Sequence, residues 1–388
     1  MRRDRLPAHG VLAGQARAGE APDTAPGGGT LADHAIDDAA AVELLTRAVS
    51  CPSPSGREEE VARLLVAAMS AGGAEACLDD AGNAVGVWGG GPVSVTFLGH
   101  MDTAPGTFPV RVSDGVLHGR GSVDAKGSLC AAVVAASRLS AELLDRLTLR
   151  VVGAVEEESS GSRGCRHALT TLPRPDFLIV GEPSGWDRYT LGYKGRVSAR
   201  LEASRDSAHT AREDPSAAEL LVDAYTALRG WVERDNLGAD GAFDRLQVTL
   251  RGLVSEDDGL VERSRGEVAF RLPPRWSAAG LSARLGQLRL DRGVRLTVTS
   301  AEEPVRADNA SPLARAFRVA IRSCGGVPRP VVKTGTSDMN VAAASWSVPM
   351  LAYGPGDSEL DHTPHERLAL GEYLRAIAVL GRAVSELV

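Results

Sequence analysis

The segment Val93-Ser-Val-Thr-Phe-Leu-Gly-His-Met-Asp102 decides the fold class, because a continuous apolar run leads directly into a His-x-Asp pair. Similar apolar runs follow at Leu147–Val155 and Phe177–Val180, and a helical pattern over Gly127–Leu139 separates the first two runs. Near-continuous Val, Leu, Ile and Phe are typical of strands that are buried on both faces of a parallel or mixed sheet. The sequence therefore predicts an α/β domain built on a central mixed sheet.

Length and composition exclude several classes of protein. The chain has 388 residues, enough for two or three domains, and its net charge of −7 argues against nucleic acid as the main partner. It lacks an apolar run of about 18 residues, which a membrane span requires, so we expect no membrane association. Its five cysteines form no C-x-x-C pair, which argues against a disulfide framework and favours a reducing cytoplasm.

The composition of the chain changes along its length. Residues 1–36 are rich in Ala, Gly, Pro and Arg and lack apolar periodicity, which predicts a disordered tail or a start codon placed too far upstream. Helix and strand signals alternate over 37–184, the first part of the α/β domain, and resume over 300–388, its second part. Between them, 185–299 carries strand-like stretches around two helical patterns, which predicts a small α+β insert.

Candidate metal ligands follow the ends of the apolar segments, where open α/β sheets place their ligand crevice. Each has a plainer interpretation when taken alone: the Asp of Gly119-Arg-Gly-Ser-Val-Asp-Ala-Lys-Gly127 is better explained as a helix cap. Together they supply histidine and carboxylate ligands that suit two zinc ions sharing one bridging carboxylate. The candidate positions are His100, Asp124, the run Glu156-Glu157-Glu158, Glu182 and the segment Asp361-His362-Thr-Pro-His365-Glu366.

The run Glu156-Glu157-Glu158 poses a geometric problem. Adjacent residues in an extended chain point to opposite sides, so two neighbours cannot easily bind one metal ion. One of them can be a ligand while the other stands across the crevice as a base. A solvated acidic loop is the alternative, although three like charges in one loop cost free energy unless cations offset them.

In their order and spacing, these segments resemble the dinuclear zinc amidohydrolases, which include acetylornithine deacetylase, succinyl-diaminopimelate desuccinylase, carboxypeptidase G and aminoacylase. The resemblance extends from about Asp37 to the C-terminus. It implies a zinc-exopeptidase-like catalytic domain interrupted by a dimerisation or lid domain. It also implies a homodimer that hydrolyses amide bonds with two zinc ions, and it allows cobalt as the alternative metal.

The resemblance implies a role for each candidate position. Asp124 would bridge the two metal ions, Glu157 would be the general base, and Asp102 would orient His100. The full set of implied metal ligands is His100, Asp124, Glu158, Glu182 and His362.

Two of these assignments depend on the register of the match. Glu158 is the ligand if Glu156 corresponds to the family's usual Asp, and a shift of one residue would move the assignment. In the last motif the family pattern favours His362, with His365 as the alternative.

Three further residues are implied to contact the substrate. His209 would stabilise the oxyanion in the partner subunit's active site, although the Gly that often precedes this histidine is absent, and a free surface histidine is the alternative. Arg271 matches an arginine that relatives direct at the substrate carboxylate, with pairing to an acidic neighbour as the competitor. Lys333, which begins the segment Lys333–Asn340, is assigned to substrate binding.

Longer motifs narrow the resemblance. Gly181–Asp187, Thr190–Gly195, Lys333–Asn340 and Tyr353–Pro364 look most like hydrolases of lysine and arginine biosynthesis. Those enzymes release lysine or ornithine from the C-terminal glutamate of a small acidic amino-group carrier protein of the LysW type. The resemblance implies that this chain releases lysine, ornithine or a related amino acid from such a carrier. A deacylase or dipeptidase acting on free N-acyl amino acids is the alternative. An inactive binding protein on the same scaffold is disfavoured, because every implied ligand and the base are present.

Lysine is rare in this chain. Of the 43 basic residues only three are lysines, Lys126, Lys194 and Lys333, and all three fall in segments that carry the resemblance. The plain explanation is that a codon bias replaced most lysines by arginine and that these three survived by chance. Their placement instead predicts that these ammonium groups are needed at the same crevice.

Overall fold

The computed structural model describes residues 34–388 apart from 160, 210, 289, 291 and 292. The predicted disordered tail, 1–36, therefore lies outside the described residues except for its last three positions. Within this described part of the chain, we find no helix with the length and apolar character needed to cross a membrane.

Helices and strands alternate along most of the chain. The helices are α1 (Asp38–Ser50), α2 (Glu59–Ala71), α3 (Lys126–Ser137), α4 (Ala141–Leu144), α5 (Arg163–Thr171), α6 (Ala217–Asp235), α7 (Gly241–Asp244), α8 (Ala278–Gln287), α9 (Pro312–Ser323), α10 (Asp338–Ala343) and α11 (Leu370–Ser385). The strands are β1 (Glu75–Leu78), β2 (Ala84–Gly89), β3 (Val93–His100), β4 (Arg111–Ser113), β5 (Val116–His118), β6 (Leu147–Ala154), β7 (Phe177–Gly181), β8 (Arg188–Tyr193), β9 (Gly195–Asp206), β10 (Gln247–Asp257), β11 (Val261–Leu272), β12 (Val294–Glu302), β13 (Val305–Arg306), β14 (Arg329–Lys333), β15 (Met350–Ala352) and β16 (Arg367–Ala369).

Most strands belong to one mixed sheet. Among the described residues it has nine strands in the order β1-β2-β6-β3-β7-β15-β8-β13, with β14 paired to β8. Strand β3 runs parallel to β6 and β7, and β7 runs parallel to β15. Helix α3 is buried along its whole length, packs on β3 and β6, and contacts α1 and α11. The prediction of an α/β fold with a central mixed sheet is confirmed.

Four strands end at the same edge of this sheet because they run in parallel. They end at His100 (β3), Ala154 (β6), Gly181 (β7) and Ala352 (β15). The segments that leave this edge carry most of the acidic and histidine residues that the sequence singled out. In an open α/β sheet this edge is where ligands bind.

A second sheet has four strands among the described residues, in the order β10-β11-β9-β12. One of its faces packs on α6 and α8 around an apolar core. Strand β8 belongs to the large sheet instead, because its residues are buried beside β14 and β15. The strands of the small unit therefore run from Gly195 to Glu302, which differs from the predicted range of 185–299.

Two of the three lysines join backbone segments inside the fold. The Nζ of buried Lys126 donates to the carbonyl oxygens of Ala48 at 3.0 Å and Cys51 at 2.7 Å, where α1 ends. Lys194, between β8 and β9, donates to the carbonyl oxygen of Arg245 at 2.5 Å. Neither lysine lines the cavity described below, so the expectation of a shared crevice is wrong for these two.

We predict that Lys126→Met lowers the free energy of unfolding by about 2–4 kcal/mol, because two buried carbonyl acceptors lose their donor. Urea denaturation of the full chain measures this change. The control is Arg63→Met, which removes an exposed i,i+4 ion pair with Glu59 and should cost within about 0.5 kcal/mol. Equal effects of the two substitutions would contradict the buried role of Lys126.

Candidate functional site

Five side chains meet at the edge where the parallel strands end. They form two groups, in each of which the potential ligand atoms lie within 4.8 Å of one another. The first group is His100, Asp124 and Glu182, and the second is Asp124, Glu158 and His362. Asp124 belongs to both, since its Oδ1 lies 3.2 Å from His100 Nε2 and its Oδ2 lies 3.1 Å from His362 Nε2. Its two oxygens thus face two different ligand groups, as a bridging carboxylate requires.

The helix-cap interpretation of Asp124 does not hold in the structure. The residue that caps α3 is Ala125, which makes no side-chain cap bond. The Asp124 carboxylate instead points at the imidazoles of His100 and His362. Its position before a helix therefore serves the cluster and not the helix terminus.

The backbone of Asp124 is held by Glu366, a fully buried carboxylate. Glu366 Oε1 accepts hydrogen bonds from the N–H groups of Val123 at 3.0 Å and Asp124 at 3.1 Å, and its Oε2 pairs with Arg120 at 2.9 Å. Glu366 thereby fixes the turn from which the Asp124 carboxylate projects. Sequence reasoning gave it no role, and its place beside the histidines of the last motif was the only signal.

Asp102 has a wider role than the orientation of one histidine. It is completely buried, and His100 Nδ1 lies 2.9 Å from its carbonyl oxygen and 3.4 Å from its carboxylate. The carboxylate also accepts hydrogen bonds from the N–H groups of Glu157 and Glu158, both at 3.0 Å. Burial alone would raise the pKa of Asp102, but hydrogen bonds from His100 and Ser55 lower it. Asp102 therefore stays ionised and holds both the imidazole and the acidic loop.

The acidic run lies in a loop after β6, so the alternation expected of a strand does not apply. Glu156 adopts a left-handed backbone conformation with φ 58°, and its carboxylate pairs with Arg163 at 2.8 Å. Glu157 and Glu158 both line the same cavity. Of the three, only Glu158 joins a ligand group among the described residues. This arrangement supports Glu158 as ligand and leaves Glu157 free for another role.

The two histidines of the last motif lie in different surroundings. His362 Nε2 is 3.0 Å from Glu158 Oε1 and 3.1 Å from Asp124 Oδ2. Hydrogen bonds to these two carboxylates raise the pKa of His362 to about 10. His365 is exposed and lines a separate cavity. The geometry therefore favours His362 as the ligand.

Burial disfavours the ionised forms of the carboxylates in the cluster, which also repel one another. It raises the pKa of Glu157 well above its ordinary value, and the neighbouring Asp338 and Glu182 raise it further. Burial and the adjacent Asp124 raise the pKa of Glu182 to about 8. A divalent cation relieves this repulsion, because it stabilises the ionised carboxylates. Three carboxylates and two imidazoles are ligands that zinc accepts, so the residues present fit a metal ion.

The cluster opens into a cavity of about 820 Å³ that also has a basic wall. Arg196 of β9, Arg251 of β10 and Arg271 of β11 line it from the small sheet, and Lys333 lines it from β14. Arg196 and Arg271 lie directly opposite each other in the paired strands. The cavity thus places cations close to the carboxylate cluster, between the two sheets.

The structure brings both predicted substrate residues, Arg271 and Lys333, into this cavity. Arg271 Nη1 donates to Thr336 Oγ1 at 3.0 Å and takes part in no ion pair among the described residues, while Lys333 Nζ donates to the carbonyl oxygen of Pro183. Sequence reasoning missed Arg196 and Arg251. The sequence offered one signal for each of them, namely an arginine on the polar face of a strand.

His209 is not brought to the cluster. It is exposed in the loop after β9 and does not line the cavity, and its Nδ1 accepts a hydrogen bond from the N–H of Ala211 at 3.2 Å. Within one chain, therefore, this predicted catalytic residue lies apart from the other candidates.

Comparisons with known proteins agree with this architecture. Residues 96–386 match the family described as peptidase family M20/M25/M40. A protein of Deinococcus radiodurans named LysW-lysine hydrolase is 50% identical over 356 residues, which cover 91% of this chain and 98% of that protein. A relative from Thermococcus kodakarensis is 38% identical over 347 residues, 89% of this chain and 92% of the relative, and is provisionally named a LysW-lysine/LysW-ornithine hydrolase. The crystal structure of a Staphylococcus aureus tripeptidase shares the fold, with a TM-score of 0.73, 16% identity and coverage of 91% of this chain and 99% of that chain.

We predict that His362→Ala lowers the metal content of zinc-saturated protein by about one equivalent, because it removes a ligand that faces both Asp124 and Glu158. Elemental analysis after desalting measures the content. His365→Ala is the matched control and should keep the full content, since His365 lies outside both ligand groups. Loss of metal from the His365 variant alone would show that His365, and not His362, is the ligand.

Proposed function

The chain belongs to peptidase family M20/M25/M40, whose members are metal-dependent hydrolases of amide bonds, and from that premise we propose that it releases lysine from a carrier protein. In this proposal the bond that is cleaved joins the side chain of the carrier's C-terminal glutamate to the α-amino group of lysine, with ornithine as the alternative product. The observation that carries it is the Asp124 carboxylate shared by two ligand groups, in a chain 50% identical to a LysW-lysine hydrolase.

Two zinc ions are proposed to occupy the cluster. His100 and Glu182 would hold one and Glu158 and His362 the other, with Asp124 shared between them. Bound zinc supplies Lewis acidity, which polarises an amide carbonyl and lowers the pKa of water. The support for this assignment is the donor set itself and the crowding of buried carboxylates, which favours a cation.

Glu157 is proposed as the general base. It lines the cavity beside the ligand groups, and its backbone N–H is fixed by Asp102, so its carboxylate is delivered to the cavity without being used as a ligand. It would accept a proton from the attacking water and donate one to the departing α-amino group of the amino acid. Asp102 would act as a positioning residue for His100 and for this loop.

The basic wall suits the proposed substrate. A C-terminal glutamate linked through its side chain to an amino acid carries two α-carboxylates close to the scissile amide. Arg271 and Lys333, with Arg196 and Arg251 beside them, provide cations for both carboxylates in the cavity that holds the cluster. Guanidinium groups bind carboxylates in a bidentate manner, which also fixes the orientation of the amide.

His209 would act only through a second copy of the chain. Its exposed position outside the cavity leaves it accessible to a partner subunit, as the proposed homodimer requires. In this proposal the His209 imidazole donates a hydrogen bond to the oxyanion in the partner's site, and the dimer works on its carrier in the cytoplasm.

We predict that Glu157→Gln lowers kcat by about 10²- to 10⁴-fold, because the amide cannot accept the proton of the attacking water. Metal content should stay at the level of the unmodified protein. Glu156→Gln is the control, since Glu156 pairs with Arg163 outside the cavity and should keep most of the activity. Unchanged hydrolysis by the Glu157 variant would remove this residue from the mechanism.

The substrate assignment is tested with zinc-loaded enzyme and four substrates: the carrier conjugates of lysine and ornithine, acetylornithine and succinyl-diaminopimelate. A carrier conjugate should have a kcat/KM about 100-fold or more above that of either small substrate. The Glu157→Gln variant, run beside it, shows that the measured turnover belongs to this site. Turnover of the small acyl amino acids alone would overturn the carrier proposal and favour a free-substrate deacylase.

A further inference from the structure

A second cavity, of about 450 Å³, lies outside the ligand groups. It is formed at a third sheet, which has three strands in the order β16-β5-β4 among the described residues. The residues Arg111, His118 and Arg367 line it together with His365 and Glu366. None of the roles proposed above uses the basic residues of this cavity.

The three strands place three basic side chains side by side. Arg367 pairs directly with His118 across β16 and β5, and Arg111 pairs directly with the same His118 across β4 and β5. Directly opposite residues in antiparallel strands share a face, and like charges in such pairs are destabilising. Burial, and then the charges of Arg111 and Arg367, lower the pKa of His118. The row thus holds two guanidinium groups on either side of one imidazole.

In the part of the chain that the structure describes, Arg111, His118 and Arg367 take part in no ion pair. Arg111 Nη1 donates to Ser113 Oγ at 2.8 Å, and Arg367 Nη1 donates to the carbonyl oxygen of His365 at 3.1 Å. Both guanidinium groups keep further N–H donors for a ligand.

Among the described residues, Glu366 is the one carboxylate that lines this cavity, and it is already engaged. Glu366 accepts from the backbone N–H groups of Val123 and Asp124 and pairs with Arg120. Its burial raises its pKa, and the bonds from the Asp124 and Val123 backbone oppose that shift. It therefore serves the turn of the bridging carboxylate and leaves the charges of Arg111 and Arg367 unmatched.

We propose that this cavity is a binding site for an oxyanion, a carboxylate or a phosphate group, held by Arg111, His118 and Arg367. Guanidinium groups are suited to such oxyanions, because each presents two parallel N–H donors to two oxygens. The oxyanion has two sources with the same chemistry, a free small anion or an acidic side chain of the carrier. The second source rests on the function proposed above, and the first does not.

The position of the site links it to the proposed metal ligands. Arg120 stacks over Phe108, a lining residue, at 5.6 Å, and its guanidinium also reaches the carbonyl oxygen of His362 at 3.4 Å. The segment 364–367 lines the cavity, and His362 lies two residues before this segment. An oxyanion bound there restrains the segment that carries a proposed ligand, so its effect is expected in the backbone of 362–367.

The first experiment uses the zinc-loaded full chain with succinate and, separately, inorganic phosphate at low ionic strength, where charge screening is weak. Calorimetry should show saturable binding that Arg111→Gln and Arg367→Gln each weaken about tenfold or more. Hydrogen exchange should show protection within 108–118 and 362–367. Arg63→Gln is the matched control, because Arg63 lines neither cavity and pairs with Glu59 on the surface, so this binding should stay unchanged. Arg271→Gln, which removes a cation from the large cavity, reports any anion binding there.

The second experiment compares KM values of the double variant Arg111→Gln, Arg367→Gln for a lysine carrier conjugate and for acetyl-lysine. A rise confined to the conjugate identifies the oxyanion as an acidic side chain of the carrier, whereas anion binding with unchanged KM values identifies a free anion. The site is refuted if neither small anion binding nor the conjugate's KM responds to the two substitutions, or if only Arg271→Gln abolishes anion binding. If the conjugate is not cleaved at all, the proposed function fails while calorimetry still tests the site.

Discussion

The concentration of buried carboxylates at one edge of the large sheet is the constraint on which the rest of the structure depends. Asp124 faces two imidazoles, and Glu158 and Glu182 approach it from loops that follow different strands. Such a cluster is stable only if its backbone is fixed and its charge is matched. The backbone is fixed by two further carboxylates, since Asp102 accepts from the N–H groups of the acidic loop and Glu366 accepts from those of the Asp124 turn.

The two sheets divide the charges of the site between them. The parallel strands of the large sheet deliver the acidic cluster, whereas Arg196, Arg251 and Arg271 of the small sheet deliver cations to the same cavity. The arginines can hold a substrate that carries carboxylates on both sides of an amide, while the amide itself contacts the acidic cluster. Lys194 lies between β8 of the large sheet and β9 of the small sheet. Its hydrogen bond to the carbonyl oxygen of Arg245 joins this connection to the segment that precedes β10.

Much of this arrangement could be predicted from the sequence, because it follows from strands that end at a common edge. The apolar runs before His100, Glu156 and Glu182 located that edge, and the α/β class followed from them.

The alternation argument for the acidic run was wrong, since β6 stops before Glu156 and the loop turns both following carboxylates into one cavity. Glu366, Ser55 and Arg251 were missed because their roles come from contacts between residues far apart in sequence, which no local pattern encodes. For the same reason the start of the small unit was placed too early: β8 is assigned to the large sheet by its pairing and not by its composition.

The central claim is that Asp124 is shared by two metal ions. The most direct test is a crystal structure of the zinc-loaded protein with anomalous difference maps recorded at the zinc edge. The account predicts two anomalous peaks, one next to His100 and Glu182 and the other next to Glu158 and His362, with one Asp124 oxygen about 2.0–2.2 Å from each. A single peak, or two peaks of which Asp124 touches only one, would contradict it.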